Sequence, residues 1–153
     1  MKNYTLFILL VILTFVVSGC ANASTPTSPP SPTMSPEPLA VEDTAGLRAA
    51  LEAAGAAVET GDPISQAFFT PEGSIVKANG ADVQVFEYES AEAMESEASQ
   101  VAPAGGSVGT SMMMWVDTPH FYKAGRIIVL YIGSDQTILD LLEKAIGPQF
   151  AGR

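Results

Sequence analysis

Length, composition and charge already limit what this protein can be. The chain has 153 residues, with 17 acidic against 7 basic side chains and a formal net charge of −10 at pH 7. It lacks the excess of Lys and Arg that neutralises phosphate groups, which argues against nucleic acid as a partner. It has one cysteine, so no disulfide can form within the chain and a folded domain must be held together by its core.

The first twenty residues have the pattern of a secretory signal. Lys2 precedes an apolar run of twelve residues, 6–17, which is shorter than the ~20 residues that cross a bilayer. Two small residues, Ser18 and Gly19, separate this run from Cys20. An uncleaved membrane helix is disfavoured by the length of the run and by the Pro-rich segment that follows. An ordinary secretory signal is disfavoured because it would leave a free thiol outside the cell.

Val17-Ser18-Gly19-Cys20 resembles the lipobox of bacterial lipoprotein precursors, in which a branched apolar residue and two small residues precede a cysteine. The resemblance covers only these first twenty residues, and the rest of the chain is not assigned to a characterised family on its sequence. It implies that residues 1–19 are a signal peptide, that Cys20 receives a diacylglycerol, and that a fatty acid such as palmitate is added to the new amino terminus. It also implies attachment to the cell membrane or outer membrane, with the domain on the extracytoplasmic side. Two or more acyl chains anchor a protein stably, whereas a single chain binds only marginally.

Residues 20–40 are predicted to be the lipidated cysteine and a spacer. The segment 21–38 holds six prolines and seven serines or threonines in eighteen residues, with almost no apolar side chain to bury. At ~3.1 Å per residue an extended, Pro-rich chain of this length reaches at most ~56 Å. Its predicted role is to hold the domain away from the headgroups, and recognition of the segment by a partner is the alternative.

Residues 41–153 are predicted to form a single domain, and their number is close to the commonest domain size. Hydrophobic periodicity and turn residues give the elements. The first predicted element is a helix beginning at Asp43 or Thr44, with the apolar stripe Leu47, Ala50, Leu51 and Ala54. Two strands, 56–59 and 64–69, follow it, and then a hairpin of 74–78 with 81–88 about Asn79-Gly80 and a helix capped by Ser90. The last predicted elements are a strand 108–116, a hairpin of 120–123 with 126–132, and a helix capped by Ser134 or Asp135.

These elements predict an α+β fold: a two-layer domain with a largely antiparallel sheet of about five to seven strands and three helices on one face. The segments 83–94 and 127–138 share a pattern of six strand residues, one linking residue and a serine cap, at Ser90 and Ser134. The pattern predicts two ββα units after a leading helix. The alternative is that any two hairpin–helix units look alike.

Met112, Met114 and His120 are the most suggestive site residues. Two thioethers on one face of a strand and an imidazole across a turn are ligands that suit Cu(I). Methionine also fills gaps in cores, and the adjacent Trp115 favours this core interpretation. An exposed, adaptable contact surface is the third interpretation.

His120 is the only histidine, so a small hydrolase would depend on it, with Asp117, Ser111 or Thr110 as neighbours in sequence. No nucleophile-elbow pattern is present. Five other carboxylates lack the spacing of a calcium loop and are predicted to form a solvated face. These are Glu87, Glu89, Glu92, Glu95 and Glu97.

The sequence therefore predicts a membrane-anchored lipoprotein whose domain is a non-catalytic binding or accessory module. No catalytic residue, metal ligand or cofactor is assigned, and Cys20 is the lipidation site. Residues 42–100 hold twelve acidic and two basic side chains, which serve solubility or form an acidic face for a basic protein partner. Copper handling through Met112, Met114 and His120 is the first alternative function, and a small hydrolase using His120 is the second.

Overall fold

The computed structural model describes residues 40–153. The predicted signal peptide, Cys20 and most of the predicted spacer lie outside the described residues. A six-stranded sheet, antiparallel throughout, occupies the centre of the described chain. Its strands are β1 Val58–Ile64, β2 Gly73–Ala78, β3 Ala81–Glu87, β6 Pro119–Ala124, β7 Ile127–Ile132 and β8 Ala151–Gly152, in the order β1-β2-β3-β7-β6-β8.

Three helices and a small hairpin complete the described fold. The helices are α1 Thr44–Ala53, α2 Ala91–Ala98 and α3 Gln136–Ile146, and the hairpin pairs β4 Ser107–Val108 with β5 Ser111–Met112. The predicted α+β class, with three helices and a largely antiparallel sheet, is confirmed. No helix within residues 40–153 is long and apolar enough to cross a bilayer.

The helices divide between the two faces of the sheet, which differs from the two-layer arrangement expected. The strand β7 is buried along almost its whole length, and its successive side chains point to opposite faces. Both faces therefore need a cover. One core cluster joins α1 and α3 to the sheet and includes Leu47, Leu51, Val129, Ile138 and Leu142. The other joins α2 and the β4–β5 hairpin to the opposite face and includes Phe86, Met94, Val108, Phe121 and Leu130.

The two strands predicted at 56–59 and 64–69 are replaced by one bulged edge strand. The register of β1 against β2 shifts between Thr60 and Pro63, so Gly61 and Asp62 form a bulge where a break was predicted. A proline is tolerated here because β1 lies at the edge of the sheet, where its missing N–H leaves no inner partner unpaired. Residues after Ile64 leave the sheet as a loop, from which Phe69 is buried in the core.

Two ββα units are present, β2-β3-α2 and β6-β7-α3, but they are not equivalent. Their strands correspond, because Val83 and Ile127 both face the cluster of α1 and α3. Their helices do not correspond, since α2 packs on one face and α3 on the other. The caps also differ, because Ser90 caps α2 whereas α3 is capped by Asp135, one residue beyond the serine that the pattern indicated.

Candidate functional site

The segment Met112–Val116, which we name the apolar loop, is exposed at the surface of the domain. The side chains of Met112, Met114 and Val116 are 88%, 100% and 97% exposed. The prediction that these methionines fill the core is wrong, and so is the prediction of a strand over 108–116. The chain instead forms the short strands β4 and β5 and then an irregular segment up to β6. The interpretation as an exposed contact surface is the one that the geometry favours.

Trp115 fixes the apolar loop to the domain. Its indole Nε1 donates a hydrogen bond of 2.6 Å to the backbone oxygen of Gly105, and its ring contacts Phe68 and Phe121 edge to face. The backbone N–H of Met113 donates to the oxygen of Gly106 at 3.0 Å. Because the indole takes the inward position, the side chains on either side of it point to solvent. The exposure of the methionines therefore belongs to an ordered loop.

His120 lies in the wall of the core. It is 4% exposed, its Nδ1 is 2.7 Å from Oε1 of Gln149, and its ring stacks on Tyr131 at an interplanar angle of 24°. Tyr131 belongs to the cluster of α1 and α3, whereas Trp115 packs against the opposite face of the sheet. The structure therefore does not bring Met112 and Met114 together with His120, and the copper site suggested by these three residues is not formed.

A groove of about 340 Å³ lies beside His120, between β6, α3 and the carboxyl-terminal segment. Burial first, and then the charges of Glu143 and Asp140, raise the pKa of Tyr122 in its wall. The groove is lined by His120, Tyr122, Gln136, Leu139, Glu143, Pro148, Gln149 and Arg153. These lining residues offer no serine, threonine or cysteine as a nucleophile, and an amide, Gln149, orients the imidazole where a hydrolase would use a carboxylate.

The residues expected to assist His120 lie elsewhere. Asp117 accepts a hydrogen bond of 2.7 Å from the N–H of Thr118, and Thr110 and Ser111 are exposed in the β4–β5 hairpin. Within residues 40–153 no three or more His, Cys, Asp and Glu side chains gather as a metal site would require. The geometry of the described chain thus gives the hydrolase alternative no support.

The carboxylates expected to form one solvated face have several different roles. Glu97 accepts hydrogen bonds from the Tyr88 hydroxyl at 2.8 Å and from the N–H and hydroxyl of Thr70. It thereby joins α2 to the end of β3 and to the loop after β1. Burial, followed by the hydrogen bond and charge of Glu97, raises the pKa of Tyr88 well above its usual range. Sequence reasoning missed this cluster because its members are distant in sequence.

Glu87 and Glu95 are also engaged. Glu87 accepts hydrogen bonds from the N–H and hydroxyl of Thr44 at 3.1 and 2.6 Å and pairs with Arg126 at 2.6 Å, so it joins β3 to the start of α1. Glu95 pairs with Lys123 at 2.6 Å and so joins α2 to β6. Only Glu89 and Glu92 of the five remain exposed without such a tertiary contact among the described residues. Three of the five carboxylates of the predicted solvated face are therefore engaged in contacts within the domain.

No protein-family model, curated protein or solved structure matches the chain. Among the described residues, the apolar loop is the surface feature whose physical properties best indicate a function. Isolated exposed apolar side chains are ordinary on soluble proteins, but neighbouring ones held in place by an ordered loop are characteristic of contact surfaces.

Proposed function

We propose that the chain is a lipid-anchored lipoprotein whose extracytoplasmic domain acts by contact and not by catalysis. The observation that carries the proposal is the exposure of Met112, Met114 and Val116, at 88%, 100% and 97%, on a domain whose other large apolar side chains are mostly covered. Methionine is flexible and polarisable, so it adapts to irregular apolar surfaces and is common where proteins bind them.

The anchor rests on the resemblance of Val17–Cys20 to a lipobox. Residues 1–19 would be removed, and Cys20 would carry the acyl chains. The spacer of residues 21–38 then separates the anchor from the domain, whose first element, α1, begins at Thr44. A domain held near a membrane needs only weak contacts to find its target, because tethering raises the effective concentration of anything on that surface.

The anchor is tested by replacing its cysteine. In the cell that makes the protein, the wild type is expected to incorporate labelled palmitate and to sediment with membranes as a shortened chain. Cys20→Ser is expected to lose the label and to accumulate as the uncleaved precursor, because neither the thiol nor the cleavage signal remains. A wild-type chain that carries no label would remove the lipoprotein proposal.

The contact function is tested by a photo-crosslinking amino acid placed at one exposed position at a time. A probe at Met114 is expected to form a defined adduct in intact cells. A probe at Ala45, which is exposed in the first turn of α1, is the matched control and is expected to form none. If neither position forms an adduct, the apolar loop is not a contact surface.

A further inference from the structure

The apolar loop lies in an uncharged stretch of an otherwise acidic domain. Residues 40–153 carry sixteen acidic and six basic side chains, yet the nineteen residues from Ala98 to Val116 carry none. No other uncharged stretch in the described chain is as long. An acidic domain is repelled by anionic headgroups, so the part that approaches a bilayer must be uncharged. This distribution of charge favours a lipid surface as the partner of the apolar loop. A basic protein partner would instead be expected to bind where the carboxylates lie.

We infer that the apolar loop inserts Met112, Met114 and Val116 into the interface of the same bilayer that holds the lipid anchor. The inference rests on the proposed function, because the anchor is what keeps a bilayer within reach. Three apolar side chains are too few to hold a free protein on a membrane. They become effective when a tether makes the contact intramolecular, since the effective concentration is then set by the length of the linker.

The chain between the anchor and the domain is long enough for this contact. The backbone N–H of Arg126, in the turn after β6, donates to the oxygen of Glu42 at 2.9 Å, so the domain begins at that end of the strand. The apolar loop precedes Pro119, at the other end of β6. Six strand residues span ~20 Å, whereas the spacer of residues 21–38 reaches ~56 Å. The length of the predicted spacer therefore exceeds the distance that separates the start of the domain from the apolar loop.

The loop is also preorganised for insertion. Its backbone is held by Trp115 and by the hydrogen bond from Met113 to Gly106, so little order has to be created on contact. The exposed side chains carry no charge and require no desolvation of an ion. Interfacial segments of proteins bury apolar side chains to a depth of roughly 5–10 Å in the headgroup region.

Trp115 provides the test because it is the only tryptophan of the chain. The mature lipidated protein is incorporated into vesicles of phosphatidylethanolamine and phosphatidylglycerol that contain a phosphatidylcholine brominated on its acyl chains. Bromine quenches indole fluorescence only at short range. We expect the emission of Trp115 to be quenched relative to vesicles without bromine.

Two variants make the test specific. Met114→Asp places a charge on a fully exposed side chain, so it cannot disturb the core, and it is expected to abolish the quenching while the protein still floats with the vesicles. Ala45→Asp adds the same charge at the opposite end of the domain and is expected to retain the quenching. Wild-type protein that floats without quenching, or equal quenching in Met114→Asp, would overturn the inference and leave the anchor intact. Protein that does not float would contradict the proposed function itself.

Discussion

At the scale of single residues, the hydrogen bond between Tyr88 and Glu97 couples stability to pH. Burial and Glu97 raise the pKa of Tyr88 from its ordinary value of 10.0. A group whose pKa is raised on folding contributes stability that is complete below the unfolded pKa, and this contribution declines as the pH rises above it. Above pH 10 the unfolded chain releases the Tyr88 proton while the folded chain keeps it, so folding weakens by up to about 1.4 kcal/mol per pH unit.

The variant Tyr88→Phe is expected to reduce the alkaline decline to the part that Tyr122 contributes, because the pKa of Tyr122 is also raised on folding. It is also expected to lower the free energy of unfolding at neutral pH by about 1 kcal/mol, the usual net contribution of a hydrogen bond. Urea unfolding at neutral pH and at several values above pH 10 measures both effects. Glu89→Ala, which changes an exposed neighbouring carboxylate, is the control and is expected to behave as wild type. An equal alkaline decline in wild type and Tyr88→Phe would contradict the assignment.

The methionines show where prediction from sequence fails at the scale of residues. Met112, Met114 and Trp115 are all apolar, so their neighbourhood in sequence indicates burial for each of them. The outcome is decided by the backbone oxygen of Gly105 and the ring of Phe121, which bind the indole and turn the methionines outward. The decisive contact with Phe121 is tertiary, and nothing within the run itself specifies it.

At the scale of elements, the residue that caps α3 distinguishes the two interpretations of the repeat. The aligned pattern places the cap at Ser134, but the carboxylate of Asp135 accepts the hydrogen bond from the N–H of Thr137 at 2.8 Å. Replacing a cap residue by alanine costs about 1 kcal/mol, because a backbone N–H at the helix start loses its acceptor. We therefore expect Asp135→Ala to lower the free energy of unfolding by about 1 kcal/mol and Ser134→Ala to leave it nearly unchanged.

Chemical denaturation of the two variants beside wild type measures this difference, and Ser90→Ala gives the scale, since Ser90 caps α2 by accepting from the N–H of Ala93. A larger loss in Ser134→Ala than in Asp135→Ala would show that the cap lies where the repeat pattern places it.

Most of the helices and strands could be predicted from the sequence, because the patterns that indicate them are local. Asn79-Gly80 forms the predicted hairpin turn, with φ angles of 51° and 85° that these residues adopt at low cost. The face of the sheet on which each helix packs could not be predicted. The strand β7 is apolar on both faces, so its sequence accepts a helix on either side, and the choice depends on how Met94 and Ile138 fit against residues that are distant in sequence. The candidate site was predictable only as a set of alternatives, for the same reason.

At the scale of the whole molecule, the central sheet couples the two core clusters. The side chains of Ile127 and Val129 enter one cluster and those of Ile128 and Leu130 enter the other, although all four lie on one strand. Neither cluster can lose its packing without disturbing a strand on which the other depends. We therefore expect residues 40–153 to unfold in a single cooperative transition, as small single domains usually do.

The variant Leu142→Ala tests this coupling from the face remote from Trp115. Leu142 is fully buried between α3 and the sheet, so its truncation is expected to lower the free energy of unfolding by roughly 2–5 kcal/mol. Trp115 reports on the opposite face, and its fluorescence is expected to follow the same urea transition as far-ultraviolet circular dichroism, shifted by the same amount. The exposed Met112→Ala is the control and is expected to change stability by no more than about 0.5 kcal/mol. A fluorescence transition that stays at its wild-type midpoint while the dichroism transition moves would mean that the two faces unfold independently. The sheet would then separate two cores without making their unfolding cooperative.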